Sequence, residues 1–254
     1  MNDLQSLQGR AVALVAHPDD EVIAFGALLQ QLKEPVVVFA TDGAPRDPGF
    51  WQRYGSREAY ADIRRQEACD ALSIVGAHPA FLWERVEGGI ADQELFQRLP
   101  QAVRAFEQIV TENRPDFLLT LAYEGGHPDH DAACFIASEV GKRMKVPVWE
   151  SPLYCRHPDG SSATQTFPQK TGKEIELMVE GPALEKKLQM FHTYKSQSLV
   201  LDGFRPEIEH YRPLMEYDFT HRPMPWKLNY ELWEWKMTGD EVAAEFASYL
   251  RGIG

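Results

Sequence analysis

Ala11-Val12-Ala13-Leu14-Val15-Ala16-His17-Pro18-Asp19-Asp20-Glu21 is the stretch that decides the fold. Its first five residues are apolar without alternation, the pattern of a strand buried on both faces, and the run ends in a polar cluster. Outward from it, Val22, Ile23, Phe25, Leu28, Leu29 and Leu32 fall near helical spacing and predict a helix over about 20–33. A second strand is expected at 35–40, closed by Thr41-Asp42-Gly43, then a helix at 57–75 and a third strand at 80–83. A helix at 92–113, a fourth strand at 116–121 and a helix at 131–144 leading into Val146-Pro147-Val148-Trp149 complete the regular part. Continuous apolar strands alternating with helices predict an α/β fold: a Rossmann-like, doubly wound, mostly parallel sheet with helices on both faces.

Beyond residue 150 the text is less regular. A Ser/Thr/Pro-rich loop at 160–168 precedes an expected strand at 175–179, and Pro182 opens a helix near its first turn. Eight aromatics then fall within residues 204–235: Phe204, Tyr211, Tyr217, Phe219, Trp226, Tyr230, Trp233 and Trp235. They read first as core covering the sheet edge and second as a wall of a substrate cleft. Val242, Phe246, Tyr249 and Leu250 mark one face of a closing helix. With no repeat and no linker of disordered composition, the expectation is a single domain over 1–254, a regular core at 1–150 with an extension at 151–254 packed on it.

The 26 Lys+Arg against 38 Asp+Glu give a net charge of −12, and the basic stretches are short and diluted by acids. That surplus repels phosphate backbones and anionic headgroups, so neither nucleic acid nor a membrane surface is expected as partner. The longest apolar runs are about six residues, far short of the roughly 20 that span a bilayer. Residues 1–10 are polar and do not read as a secretory signal. Three scattered cysteines (Cys69, Cys134, Cys155) suit free thiols in a reducing compartment, so a cytoplasmic protein is expected, with homo-oligomerisation left open.

Half of the 8 histidines precede proline. His157-Pro158-Asp159-Gly160 reads as a turn, and His78-Pro79 precedes a strand, placing it at the opposite end of the sheet from a strand's exit. His17 and His127 differ, since each follows a strand and opens a helix. In a doubly wound sheet ligands bind outside the carboxyl ends of the strands, where strand order reverses. His17 and Asp20 have the i, i+3 spacing that brings two side chains together, and three acids after a buried strand exceed what a helix start needs. A third ligand, for which His130 is the natural candidate, would complete a site with three protein ligands and a position left open.

The AHPDDE run at 16–21 and the HPDH run at 127–130 together resemble the signatures of the PIG-L/LmbE-like zinc-dependent N-deacetylases. Arg64-Arg65-Gln66-Glu67, Thr41-Asp42-Gly43 and Tyr194-Lys195-Ser196-Gln197 add to the likeness, which covers about 10–197. The resemblance implies that His17, Asp20 and His130 bind the metal, Zn2+, while a set of two histidines and one carboxylate with open positions also suits Fe2+. It further implies that Asp19 is the general base, His127 the second catalytic group and Asp129 the holder of its imidazole, with the proton to the leaving amine carried by Asp19 alone or by His127. Arg64 and Asp42 are candidates for substrate binding. Some relatives carry a tyrosine two residues before the histidine; Gly125 stands there here, and Tyr123 is the nearest ring.

The implied function is hydrolysis of an N-acetyl or other N-acyl group on a small-molecule amine, in this family most often an N-acetylglucosamine-like sugar or glycoconjugate. The alternatives are a deacylase or amidase of a non-sugar metabolite, or a metal-binding protein without turnover. A nucleotide-dependent enzyme is excluded by the first βα turn, where Asp19 and Asp20 stand in place of a glycine-rich loop and would repel a pyrophosphate. Asp19, Asp20, Glu21, Asp42, Glu124, Asp129 and Asp131 are all expected at the sheet's carboxyl edge.

Overall fold

The computed structural model describes residues 7–233 and 235–252. In chain order its elements are β1 (Ala11–Val15), α1 (Asp20–Ala24), β2 (Val36–Phe39), α2 (Arg57–Val75), β3 (His78–Phe81), α3 (Leu99–Asn113), β4 (Phe117–Leu121), α4 (Pro128–Met144) and β5 (Val148–Ser151). There follow β6 (Tyr154–Arg156), β7 (Ser162–Thr164), β8 (Ile175–Met178), α5 (Gly181–Thr193), α6 (Ser198–Leu201), β9 (Ile208–Pro213), α7 (Asn229–Leu232) and α8 (Gly239–Leu250). Seven strands form one sheet in the order β3-β2-β1-β4-β5-β9-β8. The first five run parallel, and β9 and β8 close the edge antiparallel.

The continuous apolar reading of β1 is explained by its place between β2 and β4. Val12 and Leu14 enter one core with α3, α4 and α8, while Ala11, Ala13 and Val15 enter the other with α2 and α5. Each strand side chain is therefore inside, and the expected doubly wound sheet with two covered faces is what the chain builds. The chain passes from β1 to β2 on one side and returns to β4 on the other, so the switch point lies between β1 and β4. It is directly after these two strands that the two histidine motifs stand.

Several boundaries differ from expectation for physical reasons. The helix expected at 20–33 stops at Ala24, and only a 3-10 turn follows at Leu28–Gln31. The cause lies far away in sequence: the buried carboxylate of Glu209 in β9 accepts from Ala27 N (2.7 Å) and Leu28 N (3.2 Å). Gly26 permits the close approach, since a Cβ there would stand 2.8 Å from the Val22 carbonyl oxygen and 3.1 Å from Lys187 Cγ. The helix expected from 92 begins at Leu99, because residues 90–94 are a loop that reaches the site. In the other direction, α4 begins at Pro128, three residues earlier than expected, with His127 as its cap: the ring Nδ1 accepts from Asp129 N at 3.1 Å. Pro18 lies before α1, which begins at Asp20 as expected.

Candidate active site

The turn after β1 is fixed by its own acids. Asp20 Oδ2 accepts from Ala16 N (3.1 Å) and His17 N (2.8 Å), folding the chain back so that both side chains face the switch point. Asp19 is left with φ 127°, a conformation costly for any residue with a Cβ and tolerated only where surroundings enforce it. They do. Glu21 Oε2 accepts from Asp19 N (3.1 Å), while Glu21 Oε1 accepts from the Tyr194 hydroxyl (2.6 Å). From the other side the buried Arg64 guanidinium donates to Pro18 O and Gly43 O, each at 2.5 Å, and lies 3.0 Å from Asp19 Oδ1.

Opposite, the N-terminus of α4 presents His127 and His130. His130 Nε2 is 3.2 Å from Asp20 Oδ1, and His17 Nδ1 is 3.6 Å from Asp20 Oδ2, so the three expected metal-ligand side chains meet. Asp92, from the loop before α3, comes between the two motifs: its Oδ1 is 3.4 Å from His17 Nε2 and 3.3 Å from His127 Nε2. Ligand atoms of His17, His127 and His130 lie within 4.8 Å of one another, as do those of His17, Asp92, His127 and Asp129. Both groupings share His17 and His127 and neither contains Asp20, although Asp20 is the carboxylate nearest His130. Asp92 Oδ1 and His130 Nδ1 are buried with no well-aligned hydrogen-bond partner among the described residues. Buried lone pairs of this kind, on imidazoles and carboxylates, suit a divalent transition metal.

Burial sets the charges here. It pushes the Asp19 carboxyl up to about 7, against the pull of Arg64, and with Asp20 adding to the rise. It also lowers His127, aided by the neighbouring His17. His17 goes the other way: burial works against its charged form, but Asp92, Asp129 and Asp20 outweigh that and raise it.

Other expected site residues are placed differently. Tyr123 is not in the cavity. It is 3 % exposed, its hydroxyl donates to His221 O (2.7 Å), and its ring packs on Tyr217, Phe219 and Phe246. Asp42 is likewise committed elsewhere, pairing with Arg57 and accepting from Ala44 N (2.9 Å). Arg64 lines the cavity, with its Nη atoms engaged by Gly43 O, Pro18 O and Asp19 Oδ1 and its buried Nε without a hydrogen-bond partner among the described residues. Asp129 meets His127 through its backbone N–H rather than its carboxylate, whose oxygens accept from Gln93 N (2.6 Å) and Leu95 N (3.0 Å) and face His17 Nε2 (3.3 Å). It thereby anchors the loop that carries Asp92.

Sequence reasoning passed over Asp92 and Tyr154. The Tyr154 ring meets His130 edge-on at 5.3 Å, and Trp235 meets His127 at 4.9 Å. The quoted 194–197 motif lies here too: Gln197 Nε2 donates to the Tyr60 hydroxyl (2.6 Å), and Ser196 donates to Glu67 through N (2.9 Å) and Oγ (2.6 Å). Two of the edge acids are internal braces rather than site groups. Asp131 Oδ1 accepts from Glu124 N and Gly125 N, and Glu124 Oε1 from Leu153 N and Tyr154 N. Together these elements enclose a cavity of about 150 Å³ lined by His17, Asp19, Asp20, Asp92, His127 and His130.

An imidazole and carboxylate cluster of the kind that can hold a metal ion, at the switch point of a doubly wound sheet, defines the class of α/β protein to which the site belongs. The chain belongs to the PIG-L family, whose sequence profile, described as GlcNAc-PI de-N-acetylase, matches residues 12–140. A curated relative, the 1D-myo-inositol 2-acetamido-2-deoxy-alpha-D-glucopyranoside deacetylase of Corynebacterium diphtheriae, is 29% identical over 182 residues, 63% of this chain and 62% of the relative. The chain thus matches less than two thirds of that relative's length. Among solved structures, the deacetylase of the teicoplanin biosynthesis pathway superposes with a TM-score of 0.63 at 21% identity, covering 82% of this chain and 99% of that one. The 4-carboxy-2-hydroxymuconate hydratase GalB of Pseudomonas putida shares the fold as well, with a TM-score of 0.52 at 17% identity over 82% of this chain and 96% of that one. The fold alone therefore carries more than one chemistry.

Proposed function

We propose that this protein is a metal-dependent hydrolase that removes an N-acetyl group from the amine of an N-acetylglucosamine-like sugar or glycoconjugate. The observation that carries the reading is the meeting, in one buried cavity, of Asp19 with His17, Asp20, Asp92, His127 and His130. The names of the relatives support the same chemistry.

His17, Asp20 and His130 would hold the metal, with Asp92 as a further carboxylate within reach of His17. The two-histidine, one-carboxylate set suits Zn2+, and Fe2+ is the alternative. A divalent cation in this setting supplies Lewis acidity, acidifying water and polarising the amide carbonyl. The chain's own groups do the rest. Asp19, aimed by Arg64 and by Glu21 with Tyr194 behind it, takes a proton from the attacking water. A C–O bond forms at the carbonyl carbon, the C–N bond breaks, and the proton passes to the leaving nitrogen, giving acetate and a free amine. Asp19 passes that proton on, while His127, edge-on to Trp235 and with Nε2 3.3 Å from Asp92, is placed to donate a hydrogen bond to the carbonyl oxygen as charge develops there. Arg64 is in this reading a residue that positions the base, and Asp129 one that positions the loop bearing Asp92.

The three free thiols Cys69, Cys134 and Cys155 support a cytoplasmic location, and among the described residues no helix is long and apolar enough to cross a membrane. Assay of amine release from N-acetylglucosamine and its glycosides, with metal-loaded and chelator-stripped protein, tests the function. Release that survives complete metal removal would overturn it. Metal analysis after anaerobic purification separates Zn2+ from Fe2+.

A further inference from the structure

The catalytic cavity opens into a second, larger cleft of about 630 Å³, and the two share Phe50, Tyr154, Val200 and Phe204 as common wall. The contact between them is made by rings. His127 meets Trp235 at 4.9 Å, Trp235 meets Trp233 at 4.9 Å, Trp233 meets Tyr154 at 6.1 Å, and Tyr154 meets His130 at 5.3 Å. A continuous path of aromatic faces therefore leads from both catalytic-motif histidines out to the cleft.

Its rim is conspicuously apolar for a surface: Phe50 is 42 % exposed, Trp233 45 % and Val200 52 %. Large exposed apolar groups clustered beside a cavity mark a binding surface. The lining also includes the polar residues Arg156, Asn229, Ser162 and Thr164. Arg156 and Asn229 are held in place: Arg156 Nε donates to Asn229 Oδ1 (2.9 Å), Asn229 N to Gly125 O (3.1 Å), and Trp226 Nε1 to Arg156 O (2.8 Å). Aromatic rings interspersed with a few polar groups, two of them fixed, are what a flat ring with polar substituents needs. A plain alkyl chain has no use for the guanidinium and hydroxyls.

We infer that this cleft binds an aromatic ring carried by the substrate on the side away from its acyl group, so that the preferred substrates are N-acetylated amino sugars or amines bearing an aryl aglycone. Trp233, Trp235 and Phe204 lie outside the 12–140 segment matched by the family profile, so this selectivity belongs to the chain's C-terminal part. The inference rests on the deacetylase reading for the identity of the substrate's other half, and the test separates the two.

The probes are N-acetylglucosamine, its 4-nitrophenyl β-glycoside, N-octanoylglucosamine, glucosamine, and the deacetylated 4-nitrophenyl glucosaminide. Binding is measured by calorimetry and KM by amine release, for the wild type, Trp233→Ala and Val200→Glu. Both replaced side chains are about half exposed, and melting temperatures check that the variants fold. The aryl glycoside is expected to show a KM at least about tenfold below that of N-acetylglucosamine, and the aryl glucosaminide to bind tighter than glucosamine by a similar factor. Each ratio should shrink severalfold in both variants. Equal KM and equal binding with and without the aryl group overturn the inference, as does a preference for the octanoyl chain instead. Aryl-dependent binding that Trp233→Ala weakens, with no turnover of any probe, supports the cleft assignment and overturns the deacetylase reading alone.

Discussion

Glu124 gives the sharpest stability prediction. Its carboxyl is fully buried; Oε1 accepts from Leu153 N (2.7 Å) and Tyr154 N (2.9 Å), and Oε2 has no partner among the described residues. Burial pushes its pKa from 4.5 up to about 8, more than the two backbone donors pull it down. Between these values the folded chain holds a proton that the unfolded chain releases, so folding loses about 1.4 kcal/mol per pH unit as pH rises from roughly 4.5 to 8. At pH 7 the accumulated loss is on the order of 3 kcal/mol, a large part of the roughly 5–15 kcal/mol available to a domain. Glu124→Gln keeps the carbonyl acceptor for both amides and removes the titration. The variant should match the wild type near pH 4.5 and exceed it increasingly up to pH 8, with the gap constant above. Denaturant unfolding of both proteins at pH 5, 6, 7 and 8 measures this, and the difference between them cancels the other titrating groups. Parallel stability curves, or a variant weaker than the wild type at pH 8, would refute the argument.

Three further outcomes follow from the same geometry. Asp19→Asn should keep its metal and lose about 10²- to 10⁴-fold in kcat, as expected on removing a general base, with metal content and turnover measured on one preparation. His130→Ala should lose bound metal itself, read by metal analysis after gel filtration; retention at wild-type stoichiometry would remove His130 from the ligand set. Lys187→Met leaves the Glu209 carboxylate buried without the ammonium that lies 2.5 Å from it in the wild type. That should cost about 3–5 kcal/mol, a fall of roughly 10 °C in melting temperature, and Lys187→Met with Glu209→Gln should recover part of it.

What could be read from the sequence was what short range controls. The β1 run and the HPDDE cluster are contiguous, so strand, turn and acids announce one another, and α2 ends where a left-handed Gly76 stops it, as expected. The HPDH run opens α4 for the same reason, a proline at the first helical position behind a histidine cap. What could not be read was set by distant partners. The 20–33 helix breaks because Glu209, 182 residues on, takes Ala27 N. Tyr123 leaves the site because its hydroxyl finds His221 O, 98 residues away. Asp92 sits in an aperiodic loop after Gly88-Gly89, brought to the histidines by Asp129, which accepts from Gln93 N and Leu95 N, and by Asp42 N donating to Ile90 O. The eight C-terminal aromatics divide in a way composition cannot reveal: Tyr211, Phe219 and Tyr230 are buried core, while Phe204, Trp233 and Trp235 line the cleft.

The central claim is that the buried histidine and carboxylate cluster hydrolyses an N-acetyl amide with the help of a metal. The most direct measurement is amine release from an N-acetylglucosamine glycoside by one protein preparation, first metal-loaded, then stripped with chelator, then reloaded. Loss of release on stripping and its recovery on reloading, with Asp19→Asn inactive although metal-bound, is the expected result. Equal release in all three states, or none in a protein shown to carry its metal across a range of N-acetylated amino sugars, would contradict it.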